Sequence, residues 1–196
     1  LAHAPVEVAR PAGACPAALP TPQVRLADIR AAADAGAGEV AMALDRSAFL
    51  SGRPHVALAA LAAARTAVGG TPLKVIIEVG ELGSISAIRA ATRLAIAGGA
   101  DVVATSSGKA EIDETPTAVL AVAETIAAHH RSTGQAVGLK VSGGVRSADD
   151  ALGYMAVIEA ALGRSWLTPE RFRLGASSLL NAVLADLVAT EAALAR

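Results

Sequence analysis

The chain has 196 residues, 53% of them hydrophobic and 18% charged, with a formal net charge of −1, one Trp, one Tyr and two Phe. That balance suits a globular chain with one sizeable core. It excludes broad electrostatic attraction to nucleic acid or an anionic membrane, and it leaves no aromatic platform for stacking bases.

Short β-rich runs alternate with helical patterns from end to end. The first strand is predicted at Val6–Ala9 and a helix at Val24–Ala35, followed by strands at Glu39–Leu44 and Leu73–Val79. A helix at Ile85–Ala97, a strand at Asp101–Thr105 and a helix at Thr117–His129 come next. Strands at Val137–Val141 and Arg171–Leu174 follow, and the last helix carries an i, i+3, i+4 stripe of Leu180, Val183, Leu184, Leu187 and Val188. Gly38, Gly70, Gly99 and Gly134 stand just ahead of strands, where helix C-caps and αβ turns use glycine.

The unit of about 30–35 residues is one βα repeat, which predicts an α/β fold with a parallel sheet and helices outside it. About six such units fill residues 1–196, read as one domain, whereas a closed (β/α)8 barrel needs eight. An open doubly wound sheet is the formal rival, but no G-x-G-x-x-G follows the first strand. Cys15 is the one cysteine, so no internal disulfide can form; it is expected to be a small apolar filler in a cytoplasmic protein. The longest apolar runs are cut by Glu124, Asp186 or Glu191, and the N-terminus has no basic leader, so neither a membrane span nor a signal peptide is predicted.

Three segments after strands have the chemistry of phosphate loops: Thr105-Ser106-Ser107-Gly108-Lys109, Ser142-Gly143-Gly144-Val145-Arg146 and Gly175-Ala176-Ser177-Ser178. Glycine lets backbone N–H groups approach an anion, serine adds hydroxyl donors, and Lys109 and Arg146 add charge. The third segment runs into the last helix, whose N-terminus favours anions. Any one segment alone reads equally well as an ordinary turn; three at equivalent strand ends point to a shared phosphate site. The candidate phosphate-binding residues are Gly108, Lys109, Gly143, Gly144, Arg146, Gly175, Ser177 and Ser178. A small sugar phosphate fits better than a nucleotide. His129 and His130 close a helix, His3 and His55 are isolated, and no histidine–acid spacing suggests a metal.

The same residues carry a resemblance. Lys74-Val-Ile-Ile-Glu-Val-Gly-Glu-Leu82 resembles the KVIIETGEL of the deoxyribose-phosphate aldolase family. Ala100-Asp-Val-Val-Ala-Thr-Ser-Ser-Gly-Lys109 is similar to its ADFIKTSTGK, Val137-Gly-Leu-Lys-Val-Ser-Gly-Gly-Val-Arg-Ser147 to its IGFKPAGGIRS, and Arg171-Phe-Arg-Leu-Gly-Ala-Ser-Ser-Leu-Leu180 to its FRIGASSLL. Leu162–Glu170 also looks like this family, and the motifs run in order from about Val6 to Leu180. The resemblance implies a TIM (β/α)8-barrel whose first two βα units lie outside this sequence, a small phosphorylated sugar or aldehyde as ligand, no cofactor, and a homo- or hetero-oligomer as one possible state.

It also implies a reaction: reversible cleavage of 2-deoxyribose 5-phosphate to acetaldehyde and glyceraldehyde 3-phosphate, through a Schiff base on lysine. A second lysine depresses the reactive amine's pKa, and a carboxylate relays protons. The family's reactive lysine falls on Ala104 and its strand aspartate on Ala41, while the helper lysine is kept as Lys140. Val79 stands for threonine, and Val141-Ser142 for Pro-Ala. Lys140 is therefore the candidate catalytic residue, expected to be protonated near neutral pH without a lysine at 104. Asp45 shares strand parity with Ala41 and could stand in as an acid; the competing role is a loop residue paired with a cation. Glu78 is either a base or a salt-bridge partner of Lys74 or Lys140, the structural role being favoured. The expectations are an aldolase working through Lys140, a non-catalytic sugar-phosphate binder or partner-regulating homologue, and a related lyase or isomerase using Lys140 with Asp45 or Glu78.

Overall fold

A computed structural model describes residues 8–13, 21–109 and 115–194. The elements are β1 (Ala9–Pro11), α1 (Pro22–Asp34), β2 (Glu39–Ala43), α2 (Arg46–Leu50), α3 (Pro54–Val68), β3 (Leu73–Ile76) and α4 (Ile85–Ala97). They continue with β4 (Val102–Ala104), α5 (Pro116–Thr133), β5 (Gly138–Ser142), α6 (Ala148–Leu162), β6 (Phe172–Gly175) and α7 (Leu179–Leu194). The six strands form one sheet in the order β1-β2-β3-β4-β5-β6, every pair parallel. Sequential order without a reversal is the winding of a barrel wall, and it removes the doubly wound rival, which needs a switch point.

Alternation along the strands sorts the residues onto two faces. Val40, Met42, Val75, Ile77, Val103, Leu139 and Val141 face the helices and join the main core with Ile29, Leu61, Ile88, Ile126 and Ile158. On the opposite, concave face, Ala41, Ile76 and Ala104 form a small apolar cluster of their own. Below them Glu39 of β2 binds both Lys74 of β3 and Arg173 of β6. A side-chain contact from β6 to β2 spans four strand intervals, so the sheet is curled into a half-barrel.

The helices start where side-chain chemistry stops the chain extending. Thr21, Asp45, Ser84, Thr115 and Ser147 each accept a bond from the N–H three residues on, as N-caps do. Pro22, Pro54 and Pro116 occupy the first turns of α1, α3 and α5, where a missing N–H costs nothing. Gly134 caps α5 in the left-handed conformation as expected. Gly69 rather than Gly70 closes α3, and Gly98 closes α4, so the glycine that ends these helices is one residue earlier than predicted.

Three expectations differ in detail. The first strand lies at Ala9–Pro11, and residues 6 and 7 of the predicted run fall outside the described residues. The third strand stops at Ile76, because Glu78 turns into the left-handed region (φ 56°) and a 3-10 turn covers Val79–Glu81. The apolar stripe of α7 does not enter the core: Leu180, Leu184, Leu187 and Val188 are exposed. α7 follows the edge strand β6, and among the described residues no element lies beyond it for that stripe to cover. No helix among the described residues is long and apolar enough to cross a membrane.

Candidate functional site

The C-terminal ends of β4, β5 and β6 open into one cleft of about 500 Å³. All eight residues of the predicted phosphate set line it: Gly108, Lys109, Gly143, Gly144, Arg146, Gly175, Ser177 and Ser178. Lys140 reaches the same cleft from the middle of β5. Among the described residues no carboxylate lines it. The register explains the convergence: Ser142 pairs with Gly175, so β5 and β6 end level, while Ala104 pairs with Lys140, so β4 stops two residues short and its loop begins beside the Lys140 level.

Each loop is held differently. In the β4 loop Glu78 is 1% exposed and accepts from Ser106 Oγ at 2.6 Å and from the Ser107 N–H at 3.0 Å. The Gly108 N–H then bonds Ser106 Oγ (3.0 Å) and the Lys109 N–H bonds Ser107 Oγ (3.2 Å). The backbone donors of Ser107, Gly108 and Lys109 are thus occupied, and the loop offers the cleft the Lys109 side chain. In the β5 loop Gly143 and Gly144 have φ of 102° and 70°, a left-handed pair that only glycine adopts without strain. The N–H groups of Gly143, Gly144 and Val145, like those of Ala176, Ser177 and Ser178, have no acceptor among the described residues. Successive N–H groups in such a turn form an anion-binding concavity, and the adjacent start of α7 adds its dipole.

The β5 loop ends in a capping box. Ser147 Oγ accepts the Asp150 N–H at 3.1 Å, and the Asp150 carboxylate accepts the N–H groups of Arg146 (3.0 Å) and Ser147 (2.9 Å). These donors, the Arg146 N–H foremost, hold the Asp150 carboxyl below the usual carboxylate range. Thr105 ties the neighbouring loops together: its Oγ1 donates to the Lys140 carbonyl (3.3 Å) and accepts the Ser142 N–H (3.1 Å). A methyl group at Gly175 would stand 2.5 Å from Ser142 Oγ and 2.7 Å from Lys140 Nζ. Glycine there leaves room for both side chains over β6.

The proposed acids sit elsewhere. β2 ends at Ala43, so strand parity does not extend to Asp45. Asp45 instead caps α2, accepting the Ala48 N–H at 3.0 Å, and stands 3.9 Å from the Arg25 guanidinium. The loop-and-cation role is the one realised. Lys74 is bound by Glu39, so the Lys74 partnership suggested for Glu78 is replaced by the bonds to Ser106 and Ser107. Ala41 and Ala104 lie buried side by side with Ile76 on the concave wall. His130 packs edge-on against Trp166 with ring centroids 4.9 Å apart, a structural place away from the cleft. Among the described residues no cluster of His, Cys, Asp and Glu could hold a metal ion. The organising role of Glu78 is not legible in the sequence, whereas Ser142, the first residue of the second predicted phosphate loop, does line the cleft.

The DeoC/LacD family aldolase profile matches residues 15–185. The chain belongs to this aldolase family. Among its curated relatives, the human deoxyribose-phosphate aldolase is 35% identical over 176 residues, covering 90% of this chain and 55% of the human protein. The chain therefore spans about half the length of the curated relatives it matches. Two solved structures show the same fold. A Toxoplasma gondii chain described as a candidate deoxyribose-phosphate aldolase superposes with a TM-score of 0.80 at 21% identity, over 92% of this chain and 69% of its own. The tetrameric deoxyribose phosphate aldolase of Aeropyrum pernix gives 0.65 at 22% identity, over 93% and 68%. For this aldolase-family chain the half-barrel is thus the TIM-barrel-like fold of its relatives, with six of the βα units present.

Proposed function

We propose that this aldolase-family chain binds a small phosphorylated sugar at the β4–β6 cleft and does not carry out the family's Schiff-base chemistry, whose lysine position is Ala104 here. One observation carries the reading: a cleft of phosphate-loop residues adjoins a wall of Ala41, Ile76 and Ala104. A methyl group at 104 can form no imine, and among the described residues no carboxylate lines the cleft to relay a proton. The likeness to the human deoxyribose-phosphate aldolase supports a deoxyribose phosphate as the ligand class. The tetramer of the Aeropyrum pernix protein supports testing for self-association by native mass measurement.

Lys140 sustains the second reading, aldol cleavage through an imine on its own amine, because its side chain reaches the cleft. Borohydride trapping separates the two. The protein is incubated with 2-deoxyribose 5-phosphate and borohydride, and intact mass is measured. The binding reading expects no adduct, together with a rise in melting temperature on adding the sugar phosphate. An adduct present in the wild type and lost in Lys140→Ala establishes the imine and overturns the non-catalytic reading.

A further inference from the structure

Ser142 is 2% exposed, lines the cleft, and its hydroxyl has no hydrogen-bond partner among the described residues. A buried hydroxyl without a partner is costly, and a small strand-end residue could have been alanine at no structural loss. Its N–H is already fixed by Thr105 Oγ1 at 3.1 Å, so the residue's position is set by the fold and not by its side chain. The hydroxyl lies at the floor of the cleft, one residue below the Gly143–Gly144 turn. Lys140 Nζ flanks the same spot: the point 2.5 Å from Ser142 Oγ over Gly175 is 2.7 Å from that nitrogen. The ammonium carries three N–H donors, so a bond made elsewhere leaves others to point inward.

From this geometry we infer that Ser142 and Lys140 form an acceptor-oxygen subsite beneath the phosphate loops, suited to the carboxylate of a phosphorylated hydroxy acid. Two donors converging on one small space select an oxygen that accepts only. A carboxylate does so with charge assistance, whereas an alcohol oxygen does so weakly. The ligand then spans from the Gly143–Gly144 and Ser177–Ser178 loops, which take the phosphate, down to Ser142. This subsite rests on the phosphate reading of the cleft and adds the chemistry of the ligand's other end.

The test measures dissociation constants by calorimetry for inorganic phosphate, glycerol 3-phosphate and 3-phosphoglycerate, which differ in having no carbon chain, an alcohol and a carboxylate. The wild type is expected to bind 3-phosphoglycerate about tenfold tighter than glycerol 3-phosphate, the size of one charge-assisted bond. Ser142→Ala should erase most of that ratio, leave the affinity for inorganic phosphate unchanged, and melt at the same temperature or higher without ligand, since it removes an unsatisfied hydroxyl. Equal affinity for the two organic phosphates in the wild type overturns the subsite alone. An equal loss of all three ligands in Ser142→Ala assigns the hydroxyl to the phosphate and overturns the carboxylate. A lower melting temperature in that variant gives the hydroxyl a structural role and does the same. Failure of inorganic phosphate to bind takes down the phosphate reading and the subsite together.

Discussion

Glu78 holds a left-handed backbone conformation with its carboxylate buried under the β4 loop. A side chain other than glycine pays about 1 kcal/mol for such a φ, and here the bonds to Ser106 Oγ and the Ser107 N–H offset it. Replacing Glu78 by alanine keeps the strain and strands two buried donors. The expected loss is about 2–3 kcal/mol in urea unfolding. Gln retains one acceptor oxygen, so Glu78→Gln should lose less than Glu78→Ala. The two variants unfolding at the same urea concentration would show that these bonds contribute nothing. This role for Glu78 could not be read from KVIIEVGEL, because the serines it organises lie 28 and 29 residues away.

At the scale of one element, the start of α6 shapes the β5 loop. The Ser147–Asp150 capping box fixes the chain as it leaves Gly143–Gly144, and so it aims Arg146 beside the cleft. Asp150 is held ionised by N–H donors that exist only in the folded chain, so its folded-state pKa is below its unfolded one. A depressed carboxyl contributes stability above the unfolded pKa and loses it as pH falls through the folded value. Stability should therefore drop across the acid range below the usual carboxylate pKa. Asp150→Asn should flatten that part of the profile, leaving stability less dependent on pH there, as followed by melting temperature from neutral pH downward. An unchanged slope would remove Asp150 from the acid response. This capping box was open to reading from S-x-x-D at 147–150, whereas the identity of Asp45 as the cap of α2 became clear only when β2 ended at Ala43.

Across the whole molecule, Glu39 ties β2 to β3 through Lys74 and to β6 through Arg173. Both Glu39 and Lys74 are buried on the concave face, so removing one leaves the other charge without its partner. Glu39→Ala is expected to destabilise by about 3–5 kcal/mol, the cost of breaking a buried pair. Replacing both charges, Glu39→Leu with Lys74→Met, should recover most of that loss, because an apolar pair of similar size avoids the desolvation of ions. Urea midpoints of the single and double variants measure the difference. A double variant no better than Glu39→Ala would point to Arg173 as the dominant partner. The exposed apolar stripe of α7 and the edge strands β1 and β6 belong to this scale too, since they follow from how far the wall extends.

The sequence by itself determined the alternation of strand and helix, the parallel winding and the glycine- and serine-rich loops that line the cleft. Each of those rests on short-range physics: period-two and period-3.6 patterns, caps, and glycines that permit left-handed turns. It also located Ala41 and Ala104 through resemblance to a family to which the chain belongs. Only the tertiary structure decided which polar groups meet. The curl of the sheet brings Arg173 to Glu39 across 134 residues, and the register sets Ser142 against Gly175 with its hydroxyl unpartnered. Such pairings depend on where distant strands lie, and no local pattern in the chain encodes that distance.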